Sequence, residues 1–120
     1  MSIRNYSAGG AITKYRLVKF SADGTVVQAA SATDAAIGVV DIPNAAVTGD
    51  RVDVVRDDIT LVELGANVVA GAFLTSDAAG RAVTPAPAAG VNNRIVGLAE
   101  EGGVAGDIVY MQVAPSTLQG

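Results

Sequence analysis

"VTGDRVDVV", residues 47–55, returns in altered form as "VAGDIVYMQV" at residues 104–113. Each copy has a Gly-Asp pair followed by a Val-rich run with apolar residues at alternate positions. That period of two marks a half-buried strand. It puts Val52 and Val54 on one face and Arg51 and Asp53 on the other. Glycine allows the tight turn before the strand. Aspartate in that place holds the turn by accepting hydrogen bonds from nearby backbone N–H groups. The pair therefore reads as a turn-and-strand unit used twice, rather than as an acidic site.

The flanking sequence repeats in the same order. "LVKFSADGTVV" (17–27) is matched by "FLTSDAAGRAV" (73–83), "AAIGVVDI" (35–42) by "RIVGLAEE" (94–101), and "NAAVTGDRVDVV" (44–55) by "GGVAGDIVYMQV" (102–113). Gly24 and Gly80, Gly38 and Gly97, and Gly49 and Gly106 stand 56, 59 and 57 positions apart. A nearly constant offset is the mark of an internal repeat. Short strands with frequent turn signals point to an all-β barrel or sandwich. The expected fold is a compact β-barrel or sandwich of two similar halves, about 14–64 and 71–114, with little helix. "VAGAFL" (69–74) is a third partial copy of the turn, with Ala72 where aspartate is expected. Residues 1–13, "MSIRNYSAGGAIT", read as a flexible N-terminal arm, because the Ser7-Ala8-Gly9-Gly10 run resists ordering. Residues 115–120 read as a C-terminal tail outside the 14–114 domain.

The chain has 120 residues, which suits one domain, and half of them are apolar. Aromatics are scarce, with three Tyr, two Phe and no Trp. The core must then be Val, Ile, Leu and Ala, with Phe20 and Phe73 expected inside it. The net charge of −4 lacks the basic face that displaces counterions from nucleic acid, and it does not favour an anionic membrane. No run approaches the roughly 20 apolar residues of a helical membrane span. The N-terminus lacks the apolar stretch of a secretory signal, so synthesis in the cytoplasm is expected.

Few residues offer chemistry. The chain has no Cys and no His, which removes thiolate metal sites and the commonest general base. Asp50, Asp53, Asp57 and Asp58 cluster, but without calcium-loop spacing and with Arg51 and Arg56 among them, so they read as a solvated strand edge. Glu63, Glu100 and Glu101 have no exposed Trp platform for a sugar. Ser and Thr have only Lys14 and Lys19 as potential bases. "SAGGAITK" lacks phosphate-loop spacing. A lipoyl-type barrel needs a lysine at a hairpin tip, and neither "SADGT" nor "SDAAGR" has one. No catalysis, cofactor or metal is expected.

"LTSDAAGRAV", "IVGLAEE", "GVAGDIVYMQV" and "GVVDIPNAAVTGDRVDVV" together resemble the small decoration, or cement, proteins of tailed bacteriophage capsids. The resemblance covers most of residues 14–114. The "RVDVVRDD" stretch and Ala72 depart from the family pattern. The resemblance implies a structural protein on the outer surface of an icosahedral head. There it would bind the major capsid protein, bridge neighbouring capsomers and form homotrimers at threefold or quasi-threefold positions. A protein that binds only the assembled shell stabilises it by mass action, and a trimer adds avidity. On this reading Ile3, Arg4 and Tyr6 are the capsid anchors, since Tyr and Arg are enriched at interface hot spots. Tyr15 and Tyr110 fall at subunit seams. Arg51 and Asp53, set against Ile108 and Tyr110, mark where the two halves diverge and so where a contact is expected. The competing expectation is a virion-surface or tail-associated module that recognises a glycan or a host surface.

Overall fold

The computed structural model describes residues 2–119. Nine strands run β1 (Ser2–Ala8), β2 (Leu17–Ala22), β3 (Thr25–Gln28), β4 (Ala36–Val40), β5 (Arg51–Glu63), β6 (Phe73–Ser76), β7 (Ala82–Val83), β8 (Asn92–Ala99) and β9 (Ile108–Gln119), with no helix among the described residues. The first five follow the order β1-β3-β2-β4-β5, and β5 pairs back onto β1. That return closes a five-stranded barrel, which removes the free sheet edges of an open sheet.

The second half is built the same way, and β5 belongs to both. Its residues 51–57 pair with β1, and residues 58–63 pair with β9. The order then continues β9-β8-β6-β7, and Leu64 meets Ala82 of β7 in a parallel bridge. Asp58, at φ 98°, stands where β5 passes from one role to the other. Pairings correspond place for place. Ala8 lies beside Val26 as Leu64 lies beside Ala82, and Ile12 bridges Ala46 as Val68 bridges Gly103. Val18 pairs with Gly38 as Leu74 pairs with Gly97.

The all-β barrel with two similar halves agrees with the sequence reading, but the repeat frame is shifted. The halves start near residues 2 and 58, so the counterpart of the expected arm is the stretch after Asp57. Residues 2–8 are not a flexible arm. They are a strand paired antiparallel to β5 from Ser2 to Ser7 and parallel to β3 at Ser7 and Ala8. Ala8 and Ile12 lie in the core. Gly9 is needed for close approach, since a Cβ there would stand 2.9 Å from Thr25 Cγ2 and 3.1 Å from Val27 Cγ1. The expected tail is likewise strand, with Ser116, Thr117, Leu118 and Gln119 paired to β8. Met1 and Gly120 lie outside the described residues.

One core cluster fills the first barrel with Ala8, Ile12, Val18, Val26, Val40, Val52 and Val54. Leu64, Val68, Leu74, Ala82, Ala99, Val109 and Met111 hold the matching places in the second half. Phe20 and Phe73, expected in the core, are 44% and 50% exposed. Leu74 takes the interior place on β6, so the two-residue period turns Phe73 outward. On β2 burial fades along the strand, which leaves Phe20 at the barrel rim.

The halves pack head to tail. Leu17, Ala29, Ala36 and Val39 of the first half are buried in the same cluster as the second-half core. The second half inserts its β6–β7 turn there. Leu17 N–H donates to Gly80 O (2.8 Å), and Arg16 and Gln28 side chains both donate to Ala79 O (2.8 and 2.7 Å). Arg94 N–H donates to Ala32 O at 2.8 Å.

Candidate functional site

The Gly-Asp units act as the sequence reading expects. Gly49 has φ 94°, and Gly106 has φ 91°. Asp50 N–H donates to Val47 O at 3.0 Å, and its carboxylate accepts from Val47 N–H at 3.0 Å. Asp107 does the same with Val104, at 3.0 and 2.9 Å. Both turns are clasped by corresponding residues far back in the chain, Ala8 at the end of β1 and Leu64 just after β5. Gly49 N–H donates to Ala8 O and Gly106 N–H to Leu64 O, each at 2.8 Å. At the third turn Gly71 has φ 87° and Ala72 packs against the core. A carboxylate there would be desolvated, which accounts for the alanine.

A fourth turn, at residues 13–16, escaped the sequence reading because Tyr15 stands where the others have glycine. Tyr15 has φ 64°, a left-handed conformation that costs a residue with a Cβ about 1–2 kcal/mol. Strain of this kind concentrates at functional positions. Tyr15 O accepts from Glu63 N–H at 3.0 Å, and the Lys14 ammonium lies 5.5 Å from the Tyr15 ring centroid.

Tyr15 borders an apolar surface on the outside of the second half. Ile59, Phe73, Ile108 and Tyr110 are each between 40% and 50% exposed. Tyr110 lies opposite Leu61 in the β5–β9 ladder, and Phe73 opposite Leu98 in the β6–β8 ladder. An open groove of about 320 Å³ is lined by Ile59, Glu100, Glu101 and Tyr110. A second, of about 270 Å³, includes Tyr15, Ile59, Leu61 and Tyr110. Glu101 accepts from Tyr110 N–H at 2.9 Å, fixing that end of the surface. The structure thus brings Tyr15 and Tyr110 together, with Ile108 on the same strand as Tyr110. Ile59 and Leu61 were missed, although their alternation in "ITLVEL" carried the signal.

On the matching face of the first half the places of Leu61, Ile108 and Tyr110 are polar, while Ile3 stands exposed in the place of Ile59. The Asn5 side chain donates to Asp53 at 3.0 Å, and Arg51 donates to Asn5 Oδ1 at 2.5 Å and to Ser7 Oγ at 3.1 Å. Arg51 and Asp53 are therefore in a separate network from Ile108 and Tyr110.

The three expected anchors do not share one face. Ile3 and Arg4 are exposed but point to opposite sides of β1: Ile3 is on the outer side, whereas Arg4, paired with the core residue Val54, shares its side with Tyr6, which packs against the first-half core. At the rim Tyr6 meets Phe20 edge to face, with ring centroids 5.4 Å apart. Its hydroxyl accepts from Arg56 at 3.1 Å, and that guanidinium lies 5.5 Å from the Phe20 ring centroid. An open groove of about 510 Å³ runs from Tyr6 and Phe20 along the exposed β2–β3 turn, residues 21–24.

The acidic side chains hold structure. Glu63 lies 3.3 Å from Arg16 and 3.9 Å from Arg81. Asp34 lies 3.0 Å from Lys19 and accepts from Ala30 N–H at 2.8 Å. Burial pushes the Asp34 carboxyl up, but these hydrogen bonds and the Lys19 charge outweigh it, and its pKa is lowered from 3.8. Among the described residues, no group of three His, Cys, Asp or Glu is placed to hold a metal, and no helix is long and apolar enough to cross a membrane.

No protein-family model and no curated protein sequence matches the chain. Among solved structures, the fold is similar to the N base of the head fiber gp8.5 of bacteriophage phi29. The TM-score is 0.68 at 22% sequence identity, over 99% of this chain and 98% of that one.

Proposed function

We propose that this chain is a structural protein of a bacteriophage head, a decoration or cement protein that binds the outer surface of the assembled capsid. The observation that carries this reading is the end-to-end likeness of its fold to a head-fiber base, with almost nothing left over in either chain. The side chains agree with it. The surface offers an apolar face that carries Tyr15 and Tyr110. A binder of this kind needs only surface complementarity, and it stabilises the shell by occupying the assembled state alone.

On this reading the partner is the major capsid protein, and homotrimers at threefold or quasi-threefold positions bridge neighbouring capsomers. The capsid contact comprises Ile3 on the barrel exterior, with Arg4 and Tyr6 on the other side of β1 at the rim. Tyr15, Ile108 and Tyr110 form the subunit seam. Arg51 and Asp53 already use their hydrogen bonds on Asn5 and Ser7, so they contribute a polar margin rather than the seam's centre. The β1 anchors are held in the barrel before contact, so binding carries less ordering cost than a disordered arm would.

The test is co-sedimentation of the purified protein with undecorated heads. The expected result is saturable binding at a fixed number of copies per head, with decorated heads opening at higher temperature. Absence of binding to heads, or binding to dissociated capsid protein and intact heads alike, overturns the reading. A double variant Ile3→Asp/Arg4→Glu should lower head occupancy at least tenfold without unfolding the barrel.

A further inference from the structure

The contact that joins the two halves is made once inside the chain, and both of its parts are left over once outside. Its donor is the β6–β7 turn of the second half, where Gly80 is buried against Gln28 Cγ and Ala29 O. Its acceptor is the end of the first half where β2 begins and β3 ends, made by Arg16, Leu17, Gln28 and Ala29, and Leu17 is fully buried there. The corresponding donor in the first half is the β2–β3 turn, where Gly24 has nearly the same φ as Gly80, 70° against 75°. Residues 21–24 of that turn are all exposed, and a Cβ on Gly24 would have no neighbour within 4 Å. The corresponding acceptor in the second half is the end where β6 begins and β7 ends. There Phe73 stands in the place of Leu17 and Thr84 in the place of Gln28, and both are exposed.

We infer that a second copy of this chain fills that place, its β2–β3 turn docking beside Phe73 and Thr84 as the β6–β7 turn docks beside Leu17 and Gln28. The internal contact shows that this backbone shape accepts such a turn. The chemistry of the free pair suits it as well. Phe20 flanks the free turn and Phe73 marks the free acceptor, so two exposed aromatic rings are brought under cover. Donor and acceptor lie on different halves, so the contact is heterologous and links copies head to tail; closure of such a chain gives a ring. The inference rests on the self-association proposed above and adds a second contact to the seam of Tyr15, Ile108 and Tyr110; it does not depend on head binding.

The test uses the absence of native cysteine. Asp23 corresponds to Ala79, whose carbonyl is held by Gln28, so Asp23→Cys and Thr84→Cys are combined in one chain. Mild oxidation of the full-length protein should give a covalent ladder on non-reducing gels, ending at the ring size measured by light scattering. Neither single variant should give one. Phe73→Glu should shift the protein to monomer with its circular dichroism unchanged. An oligomeric wild type that shows no ladder and is indifferent to Phe73→Glu overturns this surface while leaving self-association standing. A wild type that stays monomeric at every concentration overturns both, and head binding is then judged by its own sedimentation assay.

Discussion

Gly24 and Gly80 occupy the same place in their two halves, with φ 70° and 75°. One projects into open space, and the other is wedged against Gln28 and Ala29. Leu17 and Phe73 form a second such pair, the first fully buried and the second half exposed. A third contrast sets the Asn5, Arg51 and Asp53 network against Leu61, Ile108 and Tyr110. In each case the backbone is common and the surroundings differ. The repeated part of the chain is its frame: turn, strand, register and interior volume. The outward positions record what each half meets, whether the other half, water or another molecule.

The largest expected effects fall where the two halves agree. A Cβ on Gly38 would lie against the carbonyl oxygen of Val55, and one on Gly97 against that of Gln112. Both contacts are with backbone, which cannot swing aside. Gly38→Ala and Gly97→Ala should each cost about 3 kcal/mol or more, read from the midpoint of urea unfolding. If one half tolerates its alanine and the other does not, their backbones are less alike than the pairings indicate.

The next effect separates the halves. Gly24→Ala and Gly80→Ala both place a Cβ at positive φ, at a cost of about 1 kcal/mol. Gly80→Ala adds a 2.6 Å approach to Gln28 Cγ and a 3.1 Å approach to Ala29 O. It should therefore cost about 2–3 kcal/mol in total, since overpacking a tight contact adds to the backbone term. Equal losses in the two variants would mean that the half-to-half contact is softer than its hydrogen bonds imply.

Much of this frame was legible in the sequence. The Gly-Asp turns, the strands that follow them and the glycine offsets all come from local chemistry that each residue carries by itself. The starting point of each half was not legible. Residues 1–13 and their counterpart share Gly9 and Gly65 but little around them, so "SAGG" looked loose. Its order comes from β5, a partner about fifty positions away. The fourth turn was hidden by Tyr15, which occupies by strain a conformation that glycine occupies freely. The divergence of Arg51 and Asp53 from Ile108 and Tyr110 could be seen. The different fates of Leu17 and Phe73 could not, because both are simply apolar in the sequence and only the fold says which one is covered.

A smaller expected effect tests whether the apolar face serves folding or contact. Ile108→Arg with Tyr110→Asp gives the second half the residues that the first half has at those positions. Surface changes away from buried groups usually move stability by no more than about 0.5 kcal/mol. Thermal unfolding should stay within that range, while the share of oligomer measured by light scattering falls. A large loss of stability would mean that the face supports the barrel itself.

The smallest effect is a pH dependence confined to the first half. Lys19 and Asp34 form an ion pair at 3.0 Å. At the place of Lys19 the second half has Thr75, a buried hydroxyl 2.6 Å from Arg94 O, which does not titrate. The Asp34 pKa is lowered in the folded state from an ordinary value of 3.8. The folded state therefore binds this proton less readily than the unfolded state does. Its contribution to stability is present above pH 3.8 and is lost as the pH falls below that value through the folded pKa. Asp34→Asn should remove that part of the acid limb, so that wild type and variant converge in stability as the pH drops below 3.8. Thr75→Val should lower stability by the same amount at pH 7 and pH 3, because the hydrogen bond it removes has no charge to lose. Parallel acid limbs for wild type and Asp34→Asn would place the acid sensitivity in other carboxylates, and the two halves would then not differ in this respect.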